Sequence, residues 1–242
     1  MMPDNAICIL LTGTIEPKNV PNLKRVDPLE REQDYYYALN KWMQLEYPIV
    51  FVENSGYNSE KINTLFAKRK DCEYIRFESQ VSYLGKSHGE AEIVSFAFRE
   101  SKLLRSSNVI IKSSGRQFIS NTLRILSTIY EEEFYVISWL KRRLRYADSR
   151  FFIARKEFYV DYLLEELMHI NETDHVYFEH VLARAVHRCL ADGKQWASPK
   201  AYPICEGISG TENMQYKTGL YSRLKGELII KLTNRLLKND YL

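Results

Sequence analysis

The sequence predicts an α/β fold: a mostly parallel sheet flanked by helices, followed by a helical C-terminal part. In the first half of the 242-residue chain, strand-like and helix-like segments alternate four times, which favours parallel strands joined by crossover helices. Every strand with a well-marked end finishes in polar or glycine-bearing sequence. Since ligands of open α/β sheets bind outside the carboxyl ends of the strands, these ends are expected to form one functional edge. The chain is 45% hydrophobic, which is enough for a sizeable core.

Four short apolar segments are the predicted strands of the first half. They lie at residues 6–11, 49–52, 73–77 and 109–112. Between them, apolar residues recur at helical spacing, and Pro48 ends the first of these stretches. The predicted helices are residues 29–47, 59–68 and 90–104, and residues 85–89 are a predicted loop.

The second half is less regular and predicts more helix than strand. A strand is expected at residues 150–154, and a proline- and glycine-bearing loop at residues 198–219. Thr173 or Asp174 is a suitable N-cap for the third of four predicted helices. These helices are residues 118–129, 156–170, 174–191 and 218–238.

Composition excludes several classes of protein. The net charge of +3 is too small to demand a nucleic-acid partner, so none is expected. The four cysteines have no CxxC spacing, which disfavours a zinc site and indicates a reducing compartment. No signal peptide and no run of 18 apolar residues is present, so we expect a cytoplasmic protein. Dinucleotide-binding, P-loop, zinc-protease and α/β-hydrolase motifs are all missing.

The segment Lys112-Ser113-Ser114-Gly115-Arg116 follows the fourth predicted strand and carries the strongest chemical signal. Arginine binds phosphate oxygens bidentately, lysine acts as a point charge, and glycine lets the backbone approach a ligand. This pattern suits a diphosphate at the edge of the sheet. A strand followed by a solvated basic turn explains the same residues equally well.

The order of several motifs resembles the small glycosyltransferases of bacterial surface-polysaccharide clusters. The resemblance covers most of the first 125 residues and is thinner beyond them. Its motifs are Leu11-Thr12-Gly13-Thr14-Ile15, Arg25-Val26-Asp27-Pro28 with Arg31 and Asp34-Tyr35, Phe51-Val52-Glu53-Asn54-Ser55-Gly56-Tyr57, Gly85-Lys86-Ser87-His88-Gly89-Glu90, Ile111-Lys112-Ser113-Ser114-Gly115-Arg116 and Gly207-Ile208-Ser209-Gly210. It implies a GT-A-like nucleotide-sugar-binding fold and transfer of a sugar from a nucleotide-sugar donor to a hydroxyl of a glycan or lipid-linked glycan.

The resemblance also implies roles for individual residues. Ser209 and Gly210 would bind the acceptor, and Arg25 would touch the nucleotide or form an internal ion pair. The residues expected to bind the nucleotide sugar are Thr12, Gly13, Thr14, Arg25, Glu53, Asn54, Lys86, Glu90, Lys112, Gly115 and Arg116.

Glu179 is the expected catalytic base of an inverting reaction. Enzymes resembling this one place a carboxylate near this point, and a carboxylate beside aromatic residues suits that role. A glutamate in the first turn of a helix is also favoured by the helix dipole alone. Glu90 and Glu53 are the alternative bases.

One departure from the family concerns the metal. GT-A enzymes usually carry Asp-x-Asp at the end of the fourth strand, whereas this chain has Lys112 to Arg116 there. We therefore expect no metal and no cofactor, with the two cations neutralising the leaving diphosphate. The alternative from another class is a non-catalytic module that binds a nucleotide or another anion at the same sheet edge.

The expected domain organisation is a single domain and a terminal helix. Residues 1–125 would bind the nucleotide sugar and residues 126–217 the acceptor. Residues 218–242 form a predicted basic amphipathic helix. This helix either lies peripherally on the inner surface of the cell membrane or packs on the core with a solvated basic face.

Overall fold

The computed structural model describes residues 7–131, 133–216 and 219–238. Ala6, which begins the first predicted strand, and Thr218, which begins the last predicted helix, lie outside the described residues. A seven-stranded sheet forms the centre, in the order β10-β6-β9-β4-β1-β2-β3. Its strands are β1 (Ile7–Gly13), β2 (Ile49–Glu53), β3 (Cys72–Arg76), β4 (Val109–Ser114), β6 (Val136–Ile137), β9 (Phe151–Arg155) and β10 (Trp196–Ala197).

The sheet is parallel except for one strand. The pairs β1–β2, β1–β4, β2–β3 and β6–β10 are parallel, whereas β9 runs antiparallel to β4 and β6. All seven residues of β1 and all five of β2 are buried, because helices cover both faces of the sheet. The prediction of a mostly parallel sheet flanked by helices is confirmed.

Two further pairs of strands lie outside this sheet, and the second is a hairpin. One joins β5 (Gln117–Ile119) to β11 (Cys205–Gly207), and the other joins β7 (Leu140–Lys141) to β8 (Tyr146–Ala147), both antiparallel. The second pair and the residues between its strands are called the β7–β8 hairpin below.

The helices divide between the two faces of the sheet. One face packs against α1 (Pro28–Trp42), α2 (Glu60–Phe66) and α5 (Thr122–Glu131). The opposite face packs against α3 (Lys86–Glu100), α4 (Lys102–Ser106), α6 (Lys156–Phe158), α7 (Leu164–Glu166) and α8 (Phe178–Ala191). Alternate residues of β1 point to the two cores, as period-2 side-chain alternation requires: Cys8 and Leu10 to one, Ile9 and Leu11 to the other.

Several predicted boundaries are wrong, each for a tertiary reason. Residues 86–89 are the first turn of α3 instead of a loop, because the Glu172 carboxylate accepts a hydrogen bond of 2.6 Å from the Ser87 amide and so caps the helix. Residues 118–119 are strand, since Phe118 pairs with Glu206 of β11. The first helix ends at Trp42, five residues before the predicted end.

The helical stretch after β9 is also more complex than predicted. A π-helical turn, Tyr159–Leu163, joins α6 to α7, and a 3-10 turn, Leu167–His169, follows. Helix α8 begins after Tyr177, so neither Thr173 nor Asp174 is its N-cap. Instead, the side-chain oxygen of Asn171 accepts hydrogen bonds from both residues within a preceding turn.

The last described helix, α9 (Leu220–Lys238), packs against the body through a small residue. A Cβ atom on Gly226 would lie 2.2 Å from the Tyr202 ring, and Ile230 is almost completely buried. None of the described helices is long and apolar enough to cross a bilayer.

Candidate functional site

A cavity of about 310 Å³ opens at the carboxyl ends of β1 and β4, between α1 and α3. Parallel strands bring these ends to one edge, as the sequence predicts. Seven of the predicted site residues line the cavity: Thr12, Gly13, Thr14, Lys86, Glu90, Arg116 and Glu179. The position of the cavity follows from the strand order alone.

Arg116 is the cation at this site whose side chain makes the fewest hydrogen bonds to the described residues. Its Nε and Nη1 atoms are buried and have no hydrogen-bond partner among the described residues. The side chain borders both the main cavity and a neighbouring one, and Gly210 packs directly against its guanidinium. Two unpaired buried donors of a charged group are costly unless a ligand accepts from them. Arg116 is therefore poised for an anion.

Lys86 and Arg31 bring two further positive charges close to Arg116. Burial lowers the pKa of Lys86, and the charges of Arg116 and Arg31 lower it further. The Lys86 ammonium donates to Thr211 Oγ1 at 2.5 Å, so it spans the mouth of the cavity. The nearby carboxylates of Glu172 and Glu179 oppose this lowering, and an incoming anion would add to their effect.

The side-chain donors of Arg31 are mostly hydrogen-bonded to backbone carbonyl oxygens. Its guanidinium donates to the carbonyl oxygens of Thr14, Ile15 and Arg25 and thereby holds the loop after β1. Burial lowers the pKa of this guanidinium, and Arg116 adds to the effect. Arg31 contributes charge to the cavity, while its hydrogen bonds are structural.

Glu179 lies on the opposite wall, in the first turn of α8. Its Oε1 accepts a hydrogen bond of 2.9 Å from the Ser149 hydroxyl. Burial, with the nearby Glu179 charge, raises the pKa of the Tyr146 phenol. The Glu179 carboxylate is thus oriented by the Ser149 hydroxyl, and Tyr146 lies close to it.

Glu90 and Lys112 form an ion pair beneath the cavity. The Lys112 ammonium is fully buried, contacts Glu90, donates to the Ser149 carbonyl oxygen at 2.9 Å and lies 5.2 Å from the Phe178 ring centre. Burial raises the pKa of Glu90, while the charge and hydrogen bond of Lys112 oppose that rise. The sequence predicts that Lys112 binds the diphosphate in the cavity. In the structure, Lys112 does not line the cavity.

Two predicted ligand-binding residues instead organise the loop after β1. Glu53 is completely buried and accepts from the amides of Ile15 and Ser55 at 2.8 and 2.9 Å. Asn54 accepts from the Thr14 hydroxyl at 2.6 Å. Neither side chain lines the cavity, and both fix the backbone that does.

Four other predicted residues are also placed away from the cavity lining. Arg25 forms an internal ion pair with Asp34 at 2.5 Å. Gly115 packs against β1, where its amide donates to the Thr12 carbonyl oxygen at 2.8 Å. Ser209 and Gly210 form a tight turn beneath the Arg116 guanidinium.

Several cavity residues are outside the predicted set. They are Arg31, Tyr35, Gln117, Ser149, Arg150 and Tyr216, together with smaller and apolar neighbours. Arg31 and Tyr35 belong to a motif of the resemblance, but Tyr35 also fits the apolar stripe of α1 and has no predicted role of its own. Ser149 and Arg150 form the turn before β9, and they reach the cavity only because β9 runs antiparallel to β4, which the sequence does not predict.

The expected absence of a metal stays a prediction. In the ranges 7–131, 133–216 and 219–238, no three His, Cys, Asp or Glu side chains gather as a metal site would require.

Comparison with known proteins supports the fold. Neither a protein-family model nor a curated protein sequence matches the chain. Among solved structures, the inositol-1-phosphate CTP transferase from T. maritima is similar at a TM-score of 0.54 and 15% identity, over 92% of this chain and 96% of that one. At that identity the likeness shows a shared α/β fold, which confirms the predicted fold class.

Two other solved structures are less similar, with TM-scores below 0.5, and the assignment of the fold class does not rest on them. A nucleotide-diphospho-sugar transferase from Desulfovibrio desulfuricans has a TM-score of 0.46 and 10% identity over 81% of this chain and 80% of its own. Core-mannan synthase A from Aspergillus fumigatus has a TM-score of 0.43 and 10% identity over 74% and 69%.

Proposed function

We propose that this protein is a glycosyltransferase that moves a sugar from a nucleotide-sugar donor to a hydroxyl of a surface glycan. The observation that carries the proposal is that one cavity is lined by Arg116, whose buried Nε and Nη1 have no hydrogen-bond partner among the described residues, and by the carboxylates of Glu90 and Glu179. A diphosphate requires the cation, and activation of a hydroxyl requires a carboxylate.

The donor would lie along the sheet edge. Arg116 and Lys86 would hold the diphosphate, while the backbone from Thr12 to Thr14 would contact the base and ribose. Arg31 would add positive charge without direct contact, because its donors already serve the loop. Positive charge fixed in advance stabilises the diphosphate as it leaves, and this is the role that a metal has in other enzymes of this kind.

The acceptor would react beside Glu179. This carboxylate would take the proton of the acceptor hydroxyl while the oxygen attacks the anomeric carbon. The bond from that carbon to the diphosphate would break, and its electron pair would leave with the nucleoside diphosphate. Attack opposite to the leaving group inverts the anomeric configuration. Glu90 is the second choice as base, because Lys112 already engages it.

Nucleotidyl transfer is a second candidate, favoured by the structural likeness to a CTP transferase over nearly the whole chain. The two reactions differ in their products. A glycosyltransferase releases a nucleoside diphosphate, whereas a nucleotidyltransferase that joins CTP to a sugar phosphate releases pyrophosphate.

The test is a product analysis. The purified chain is incubated with a panel of nucleotide sugars and hydroxyl acceptors, and with CTP and sugar phosphates, and products are identified by mass spectrometry. We expect nucleoside diphosphate together with an acceptor heavier by one sugar, and neither product when the acceptor is left out. Pyrophosphate release would favour the second candidate. Nucleotide binding without any turnover would favour a non-catalytic module.

A further inference from the structure

Two basic segments that are far apart in sequence meet on one side of the molecule. A surface hollow is lined by residues 139–144 of the β7–β8 hairpin and by Ile229 of α9. Residues 139–146 and α9 together contain nine lysines and arginines and one acidic residue, Glu227. The whole chain is only +3, so the remainder is net negative, at −5. Positive charge is therefore concentrated in these two elements.

The outer side of α9 is apolar as well as basic. Leu224, Leu228 and Leu232 are 61%, 58% and 50% exposed, at four-residue spacing. The helix packs on the body through Gly226 and Ile230, so these leucines lie away from that contact. Within the part of the chain that the structure describes, nothing covers them.

The hairpin adds a second apolar group at a fixed place. Arg142, Arg143 and Leu144 all have positive φ angles, 49°, 58° and 65°, a conformation that residues other than glycine rarely adopt. The His187 ring nitrogen Nε2 lies 2.8 Å from the Leu144 carbonyl oxygen and holds the turn. Leu144 is 50% exposed at the tip, between arginines. The turn therefore presents Leu144 to solvent beside two arginines.

We propose that this surface binds the face of an anionic lipid bilayer. We call it the basic face, and it consists of Arg142, Arg143, Leu144, Lys225, Ile229 and Leu232. Lysines and arginines are attracted to anionic headgroups, and exposed leucines enter the boundary of the acyl chains. The leucines favour lipid over a nucleic acid or another polyanion, which would leave them in water.

The basic face also adjoins the candidate site. Tyr146, at the base of the same hairpin, lies close enough to Glu179 for that charge to raise its pKa, and the Arg142 guanidinium lies 4.6 Å from the Tyr146 ring centre. If the proposed function holds, a membrane-bound protein would present the Glu179 side of its cavity near the lipid surface, where a lipid-linked acceptor is found.

The test measures co-sedimentation of the full chain, without substrate, with vesicles of neutral phosphatidylcholine or of phosphatidylcholine mixed with phosphatidylglycerol. We expect binding to the anionic vesicles only, weakened by salt. The Arg143→Glu/Lys225→Glu variant and the Leu144→Asp/Leu232→Asp variant are each expected to bind about tenfold more weakly.

Matched controls separate the basic face from general charge and hydrophobicity. Lys102→Glu/Arg105→Glu makes the same charge change on the exposed side of α4, and Leu29→Asp alters an exposed leucine of α1. Both controls should bind vesicles as the wild type does. Equal loss in the controls, equal binding to neutral vesicles, or binding to RNA without binding to vesicles would each overturn the proposal. Because no donor or acceptor is present, failure of the glycosyltransferase proposal leaves this result unaffected.

Discussion

Under the proposed function, Arg116 is the residue on which we expect nucleotide binding to depend most. Replacing Arg116 with alanine removes the unpartnered Nε and Nη1 donors from the cavity. We expect affinity for nucleoside diphosphates to fall by roughly 2 kcal/mol, about 30-fold, because charge-assisted contacts to phosphate are lost. Affinity for the bare nucleoside should change little. Isothermal titration with both ligands measures the difference.

The matched control for this change is Arg105→Ala, which removes an exposed arginine of α4 that is not part of the cavity lining. It should leave both affinities unchanged. An equal loss of nucleoside and diphosphate affinity in Arg116→Ala would contradict a phosphate contact and point to a disturbed fold.

The two carboxylates of the cavity are expected to behave differently on substitution. Glu179→Gln keeps shape and the hydrogen bond from Ser149 but cannot accept a proton, so kcat should fall about a hundredfold or more with donor affinity retained. Glu90→Gln removes the charge that pairs with the buried Lys112, so its main effect should be a lower melting temperature. The measurements are kcat, donor Kd and melting temperature for each variant. Near-normal turnover in Glu179→Gln, with strong loss in a still-folded Glu90→Gln, would transfer the role of base to Glu90.

Asp148 is expected to make stability depend on pH. It is buried between Arg150 and Lys141, at 2.6 and 2.5 Å. Burial opposes its charge, but hydrogen bonds and charges from these two cations prevail and hold its pKa well below the usual range. The stabilisation is complete above the pKa of an unfolded aspartate, about 3.9, and is lost as pH falls below that value.

Asp148→Asn should therefore lower the free energy of unfolding by about 2 kcal/mol at neutral pH, a value reduced for the partial exposure of both cations. The difference in the free energy of unfolding between the variant and the wild type should become smaller below about pH 4. Urea denaturation at pH 7 and pH 3 measures this difference at each pH, with exposed Asp174→Asn as the control. A difference that does not depend on pH would contradict the argument.

The pair Lys112 and Arg116 shows what sequence predicts of single residues. Both follow one apolar strand, and their place at the sheet edge follows from that. Their different roles do not follow from the sequence pattern. These roles depend on Glu90, which lies 22 residues away and pairs with Lys112 only. For the same reason Glu53 and Asn54, correctly placed at a strand end, serve the loop instead of lining the cavity.

Helix α9 owes its position to a glycine. Alanine is about 1 kcal/mol more favourable than glycine within a helix, so Gly226→Ala would stabilise a free α9. In the folded chain its Cβ would lie 2.2 Å from the Tyr202 ring. We expect a net loss of about 1–3 kcal/mol in the free energy of unfolding, measured by denaturant titration.

Gly219→Ala is the matched control, since a Cβ there meets no described atom within 4 Å. It should lower the free energy of unfolding by only about 0.5 kcal/mol, because Gly219 accepts the first hydrogen bond of α9 and alanine is disfavoured at such an N-cap. In a Tyr202→Ala background, Gly226→Ala should cost much less than in the wild type. An equal cost in both backgrounds would show that the Tyr202 contact does not fix α9.

The strands of the first half were predictable as elements because each is a compact apolar run with a polar end. The start of α3 and the short strand β5 were not, because distant partners determine them. Glu172 caps α3 from 85 residues away, and Phe118 is strand only because β11 pairs with it. The local sequence pattern does not show which distant residues will act as such partners.

For the molecule as a whole, alternation of strands and helices predicts the layered sheet, and the parallel strand ends predict where the cavity opens. It does not predict that β9 enters the sheet antiparallel between β4 and β6. That reversal brings Ser149 and the turn before β9 to the cavity, next to Glu179 and Lys112. The acceptor side of the proposed site is therefore a product of topology that local sequence does not record.

The charge arrangement of the whole cavity leads to a prediction about metal removal. Cations of the chain itself, Arg116 and Lys86 with Arg31 behind them, stand beside the place proposed for the diphosphate. If they neutralise the leaving group, turnover should stay within about twofold of its starting value after dialysis against EDTA. The measurement is product formation with EDTA and, separately, with added magnesium or manganese. Arg116→Ala provides the internal comparison, since its turnover should be low in both conditions. Complete loss of wild-type turnover in EDTA, restored by either metal, would assign neutralisation of the diphosphate to a bound cation instead of to these side chains.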